Sequence, residues 1–130
     1  MNILAIDYGS KRIGLALTDS SLGVILPFGL VEKPSLKDKV KELAEIIAKE
    51  KAQKVIVGFP LGLNGKENAN TERVKKFVFD LQKLIKAPVE YHDERFSSYA
   101  ADAAGAGVSR DERAAMIILE GYLESRKKNK

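Results

Sequence analysis

Four acidic residues stand where carboxylates could act on a phosphate. Asp7 closes the apolar run Ile3–Ile6, Asp93 and Glu94 close the run Val89–His92, and Asp111 opens an amphipathic stretch after Ser109. Carboxylates gathered at one edge repel each other unless cations neutralise them. Mg²⁺ uses few protein carboxylates and keeps water and phosphate oxygens in its shell. Two such ions about 3.5–4 Å apart can activate a water and stabilise the leaving oxygen of a phosphodiester. The chain has no cysteine, and His92 is its only histidine, so a zinc cage is poorly supplied. Gly9, two residues after Asp7, allows a positive φ in the turn and leaves room for a large ligand.

Each of these residues also has an ordinary role. Asp7 serves equally as a turn former. Glu94 could pair with Arg95 or another surface cation. Ser109-Arg110-Asp111-Glu112 fits a capping box, in which Asp111 merely complements the helix dipole. His92, inside an apolar strand run, reads as structural rather than as a base. Asp19 and Asp102 read as turn and surface residues.

The elements that must position the acids follow from periodicity. Ile3–Ile6 is a short apolar run suited to a strand buried on both faces. Ile13–Leu17 repeats the pattern after a tight turn, and Gly23–Glu32 reads as a third strand. Pro27 assigns that strand to an edge or a bulge, because proline cannot donate to a ladder. Ser35 caps a helix whose apolar stripe is Leu36, Val40, Leu43, Ala44 and Ile47. Lys54–Gly58 is a buried strand, reached by a crossover and therefore parallel to the first. A loop rich in turn formers, Phe59–Gly65, leads to a second helix with Val74, Phe77, Val78, Leu81, Leu84 and Ile85 on one stripe. Val89–His92 forms the fifth strand. Ser97 caps a short Ala-rich helix, and Ser109 begins a last helix with Ala114, Ala115, Ile118, Leu119, Tyr122 and Leu123 inward. The order β-β-β-α-β-α-β-α-α predicts an α/β fold in one domain over residues 1–130. Its mixed five-stranded sheet has three antiparallel then two parallel strands, the first strand central, and helices on both faces.

The 130 residues, 45% of them hydrophobic, suffice for one core. The formal charge is +4, but Arg126, Lys127, Lys128 and Lys130 supply the whole excess. A basic tail can hold a phosphate backbone, and it equally suits a solvated helix end. No apolar run approaches the roughly 20 residues that span a bilayer. The amino terminus lacks the marks of a secretory signal. These features predict a soluble, cytoplasmic protein without a membrane partner.

The segments IDYGSKRIGLALTD, VIVGFPLGLNGKENAN, DERFSSYAA and RDERAAMIILEGYL occur in that order and span nearly the whole chain. Together they resemble the YqgF (RuvX) family, the Holliday-junction-resolvase-like proteins of the RNase H superfamily. The resemblance implies an RNase H-like fold and a metal-dependent nuclease that processes the 5′ end of pre-16S rRNA in ribosome biogenesis. Holliday-junction resolution on branched DNA is the alternative. By position it assigns Asp7, Glu94 and Asp111 as catalytic and metal-binding residues, with Mg²⁺ or Mn²⁺ as cofactor. Lys11, Arg12 and Arg95 match the family's basic positions and are expected to hold substrate phosphates, Arg in bidentate fashion. Phe59 stands where Leu is usual, Asn64-Gly65 where Asp-Gly is usual, and Ser97-Ser98 where a Thr pair is usual. Position 64 therefore lacks a carboxylate.

Two further functions fit parts of the pattern. An Asp-x-Gly before a hairpin also resembles the first phosphate loop of actin-like and sugar-kinase ATPases, but those folds need a second such domain. A non-catalytic RNA-binding module would need only the basic turn and tail. The expected partner is nucleic acid, structured RNA with branched DNA as the alternative, bound by a monomer or weak homodimer.

Overall fold

Ile3, Leu4, Ala5 and Ile6 are all buried because β1 (Asn2–Tyr8) is the middle strand of a five-stranded sheet ordered β3-β2-β1-β4-β5. The computed structural model describes residues 1–9, 11–19, 21, 23–60, 64–93 and 107–128. β2 (Ile13–Asp19) runs antiparallel to β1 in a register that pairs Asp7 with Gly14. β3 (Val24–Val31) continues the meander as an edge strand. Its register against β2 shifts between Leu15 and Ala16, which pair with Gly29 and Pro27. Pro27 thus occupies the edge-and-bulge position its missing N–H requires.

β4 (Lys54–Phe59) and β5 (Val89–Asp93) are parallel to β1. The predicted order and the central first strand are therefore present. The predicted helix after Ser97 lies outside the described residues.

The strand period of two sorts the core into two layers. Leu4, Ile6, Leu15, Val55 and Val57 meet α1 (Leu36–Lys49) and α2 (Ala69–Gln82) through Val40, Leu43, Ile47, Val74, Phe77, Val78 and Leu81. Burying a side chain such as Phe77 in full contributes roughly 1.5–3 kcal/mol. Ile3, Ala5, Ala16 and Ile56 point the other way, onto Ala115, Ile118, Leu119 and Tyr122 of α3 (Arg110–Lys128). Alanines on both sides of this second interface let α3 lie close to the sheet.

Local signals set the helix ends. Ser35 caps α1 and its side chain accepts from the Asp38 N–H at 3.1 Å. α2 departs from expectation at its far end. It stops at Gln82, and the Leu84 N–H turns back to the Leu81 carbonyl at 2.9 Å. Leu84 therefore leaves the apolar stripe and is 57% exposed, whereas Ile85 still packs against the core.

Candidate active site at the rim of the sheet

Asp7 lies at the carboxyl end of β1 and shares the α3-facing side of the sheet with Ile3 and Ala5. Its carboxyl is pushed up to about 6, first by burial and second by the nearby charge of Asp111. The two acids thus meet, although most of the chain separates them in sequence.

Gly14 makes that meeting sterically feasible. It pairs with Asp7 across the ladder, and a Cβ there would lie 2.0 Å from the Asp111 carbonyl oxygen. The first turn of α3 rests on bare backbone. Glu112 then ties this turn down. Its Oε1 accepts from the Ser109 N–H at 3.3 Å and the Ser109 hydroxyl at 2.9 Å, while the Ser109 Oγ accepts from the Glu112 N–H at 3.1 Å. The expected capping box is present, and it extends further: Glu112 Oε2 accepts from the Gly29 N–H at 2.7 Å. These bonds hold the Glu112 carboxyl below its ordinary range, against the opposing effect of burial. Gly29 has φ +102°, a backbone that other residues rarely adopt.

The β1–β2 turn differs from expectation in one respect. Gly9 does not adopt a positive φ. Its N–H donates to the Arg12 carbonyl at 3.1 Å, and a Cβ at position 9 would lie 2.4 Å from that oxygen. Glycine is required here by turn closure rather than by room for a ligand. The turn presents Lys11 and Arg12 to solvent, and Arg12 Nε forms an ion pair with Asp111 Oδ2 at 3.1 Å. Arg95 and Glu94 lie outside the described residues, which end β5 at Asp93, paired with Phe59.

His92 is half-buried, and a Cβ on Gly121 of α3 would come within 2.7 Å of its Nε2. Burial lowers its pKa and the Asp93 charge opposes the shift. That environment matches the structural role read from sequence. Asp19 likewise serves its turn, accepting from the Ser21 N–H at 3.0 Å and hydroxyl at 2.7 Å.

Sequence reasoning passed over two residues that shape the rim. Gly14 carries no local signal, because only the approach of α3 makes it necessary. Thr71 is fully buried; its hydroxyl donates to the Pro60 carbonyl at 2.6 Å and accepts from the Asn68 N–H at 3.0 Å. The Asn68 side chain accepts in turn from the Thr71 N–H at 3.2 Å. This capping box fixes the start of α2 to the loop that leaves β4. The spacing Asn-x-x-Thr was its signal.

All three described helices begin at the rim that carries Asp7. β3 ends there, with Val31 paired to Ile13, just before α1; α2 is bonded to Pro60; α3 starts over Gly14. Helix amino termini carry partial positive charge. Together with Lys11 and Arg12 they make a rim suited to a polyanion.

Among the described residues, no group of three or more His, Asp or Glu side chains comes together, so Asp7 and Asp111 stand as a pair. The pair fits a hard divalent cation on two grounds. Its donors are carboxylate oxygens only. The raised pKa of Asp7 marks an anion held at a disadvantage, which a cation would relieve.

The sheet order, with a carboxylate on the central strand and helices on both faces, defines an RNase H-like fold. The fowlpox virus resolvase with its Holliday junction DNA shares the fold at a TM-score of 0.63 and 14% identity, covering 97% of this chain and 99% of that one. The RuvC of Thermus thermophilus with a Holliday junction substrate does so at 0.63 and 15%, covering 98% and 96%. A family model described as "RuvX: Holliday junction resolvase" matches residues 1–125. A protein of Maridesulfovibrio salexigens named as a candidate pre-16S rRNA nuclease is 36% identical over 95% of this chain and 98% of its own. One of Caldanaerobacter subterraneus with the same name is 34% identical over 98% and 99%. The chain belongs to the RuvX family. No helix among the described residues is long and apolar enough to cross a membrane.

Proposed function

We propose that this chain is a metal-dependent nuclease that hydrolyses phosphodiester bonds at the 5′ end of pre-16S rRNA, working in the cytoplasm during ribosome biogenesis. The observation that carries the reading is the approach of Asp7 to Asp111: Gly14, the ladder partner of Asp7, lies directly against the Asp111 backbone and Cβ. The names of the relatives supply the substrate.

Asp7 and Asp111 would hold Mg²⁺ or Mn²⁺, with Glu94 as the third carboxylate by its place in the family motif. When bound, the ion supplies an activated water and charge stabilisation for the phosphodiester. The chain's own residues do the rest. Lys11 and Arg12 extend from the turn beside the acids and engage backbone phosphates, with Arg95 as a further contact. The helix amino termini add a fixed field that favours the substrate's charge. Glu112, Ser109 and Gly29 keep Asp111 in place while the polyanion is bound. A second reading, resolution of branched DNA, rests on the family's description.

One assay separates the readings. Labelled pre-16S rRNA and a four-way DNA junction are incubated with the protein and Mg²⁺, Mn²⁺ or chelator. Cleavage of the RNA only with metal, lost in Asp7→Asn and Asp111→Asn, is expected. Junction cleavage alone would select the second reading. Equal cleavage by wild type and variants would defeat both and reveal a contaminant.

A further inference from the structure

Arg12 has two claims on its side chain. Its Nε lies 3.1 Å from Asp111 Oδ2 as an ion pair, yet the Arg12 side chain is 57% exposed and Asp111 27%. Exposed ion pairs of this kind are weak and readily exchanged. The backbone beneath is fixed, because the Arg12 carbonyl closes the turn with Gly9 and the next residue, Ile13, is fully buried. Only the guanidinium is free to swing. A phosphate offers it a bidentate hydrogen-bonded partner, which a single Nε–carboxylate ion pair does not. A divalent cation at Asp111 would also repel it.

We propose that Arg12 is exchanged between Asp111 and a nucleic-acid phosphate, so that backbone binding frees Asp111 for a divalent cation and each ligand strengthens the other. This rests on the metal-dependent reading above. In the free protein the guanidinium keeps Asp111 neutralised, and the cation site is weak. Phosphate removes the guanidinium, and the site gains affinity. By linkage, the cation strengthens nucleic-acid binding by the same factor.

The test is Mn²⁺ titration followed by the electron paramagnetic resonance of the free ion, at constant ionic strength. It is run without and with a 2′-O-methyl RNA hairpin whose integrity is checked on a gel. Wild type should bind Mn²⁺ about fivefold or more tightly when the hairpin is present. Arg12→Ala should bind Mn²⁺ more tightly than wild type without the hairpin, and the hairpin's gain should shrink below about twofold. Arg12→Lys, which keeps the charge and loses the planar fork, should fall between and replaces the alanine variant if that fails to fold. An unchanged gain in either variant, or weaker Mn²⁺ binding by Arg12→Ala alone, overturns the exchange and leaves the nuclease reading standing. No Mn²⁺ binding by wild type, or equal binding by Asp7→Asn, overturns both.

Discussion

The space that a Gly14 side chain would fill is taken by the Asp111 backbone: a Cβ at position 14 lies 2.0 Å from the Asp111 carbonyl oxygen. Gly14 is also the ladder partner of Asp7. A single position on β2 therefore governs how near the second carboxylate comes to the first. Gly14→Ala should force the first turn of α3 away from the sheet. Overpacking against backbone has few escapes, so a loss of about 1–3 kcal/mol is expected in urea unfolding. Cleavage should fall by more than this loss explains, because Asp111 moves with the turn. Full activity in a destabilised variant would contradict this account.

Asp7 should be a stability liability at neutral pH. Its folded pKa of about 6 exceeds the ordinary 3.8, so the folded state binds the proton more tightly than the unfolded state. The contribution is fully present below about 3.8 and is lost as pH rises through about 6. Asp7→Asn should therefore raise stability at pH 7 in metal-free buffer, by up to about 3 kcal/mol, and change little near pH 3. The same variant should be inactive. Unfolding curves at the two pH values check the sign, and a variant less stable at pH 7 would reverse it.

Glu112 should behave oppositely. Its folded pKa lies below the ordinary 4.5, so its contribution is present above that value and lost as pH falls through the folded pKa. Glu112→Ala removes the acceptor of the Gly29 N–H and of both Ser109 donors. A loss of roughly 1.5–3 kcal/mol is expected at pH 7, since the acceptor is charged. The gap to wild type should narrow in strong acid. A pH-independent gap would mean that packing, not the carboxylate, matters.

Thr71→Val keeps shape and removes the hydroxyl. The Pro60 carbonyl and Asn68 N–H then lose their partner beside a buried side chain. Destabilisation of about 1–3 kcal/mol is expected. Hydrogen exchange should report faster opening at the start of α2, with α1 unchanged. Thr71→Ser should restore most of the loss.

The fold was legible because its signals are local. The run Ile3–Ile6 suits a strand buried on both faces, and the stripes of α1 and α3 name most of their inward residues, although Ala114 lies outside the core clusters and Met116, not in the stripe, packs against one. Asp7 and Asp111 were legible as chemistry-bearing residues at element ends. What the sequence hides is approach between distant segments. The bond from Glu112 to Gly29 spans 83 positions. The ion pair of Arg12 with Asp111 joins the first hairpin to the last helix, and neither residue type announces the other. Gly9 was read for its freedom in φ, while the structure uses its lack of bulk. Leu84 fitted a helical stripe on paper, but a helix that ends at Gln82 cannot carry it inward.

Because α1, α2 and α3 all start at the end of the sheet that carries Asp7, part of the attraction for phosphate resides in peptide groups. Each helix start contributes roughly half an elementary charge. Alanine scanning of the surrounding lysines and arginines cannot erase that share. Binding that persists through such a scan, still sensitive to salt, would have the main chain as its source.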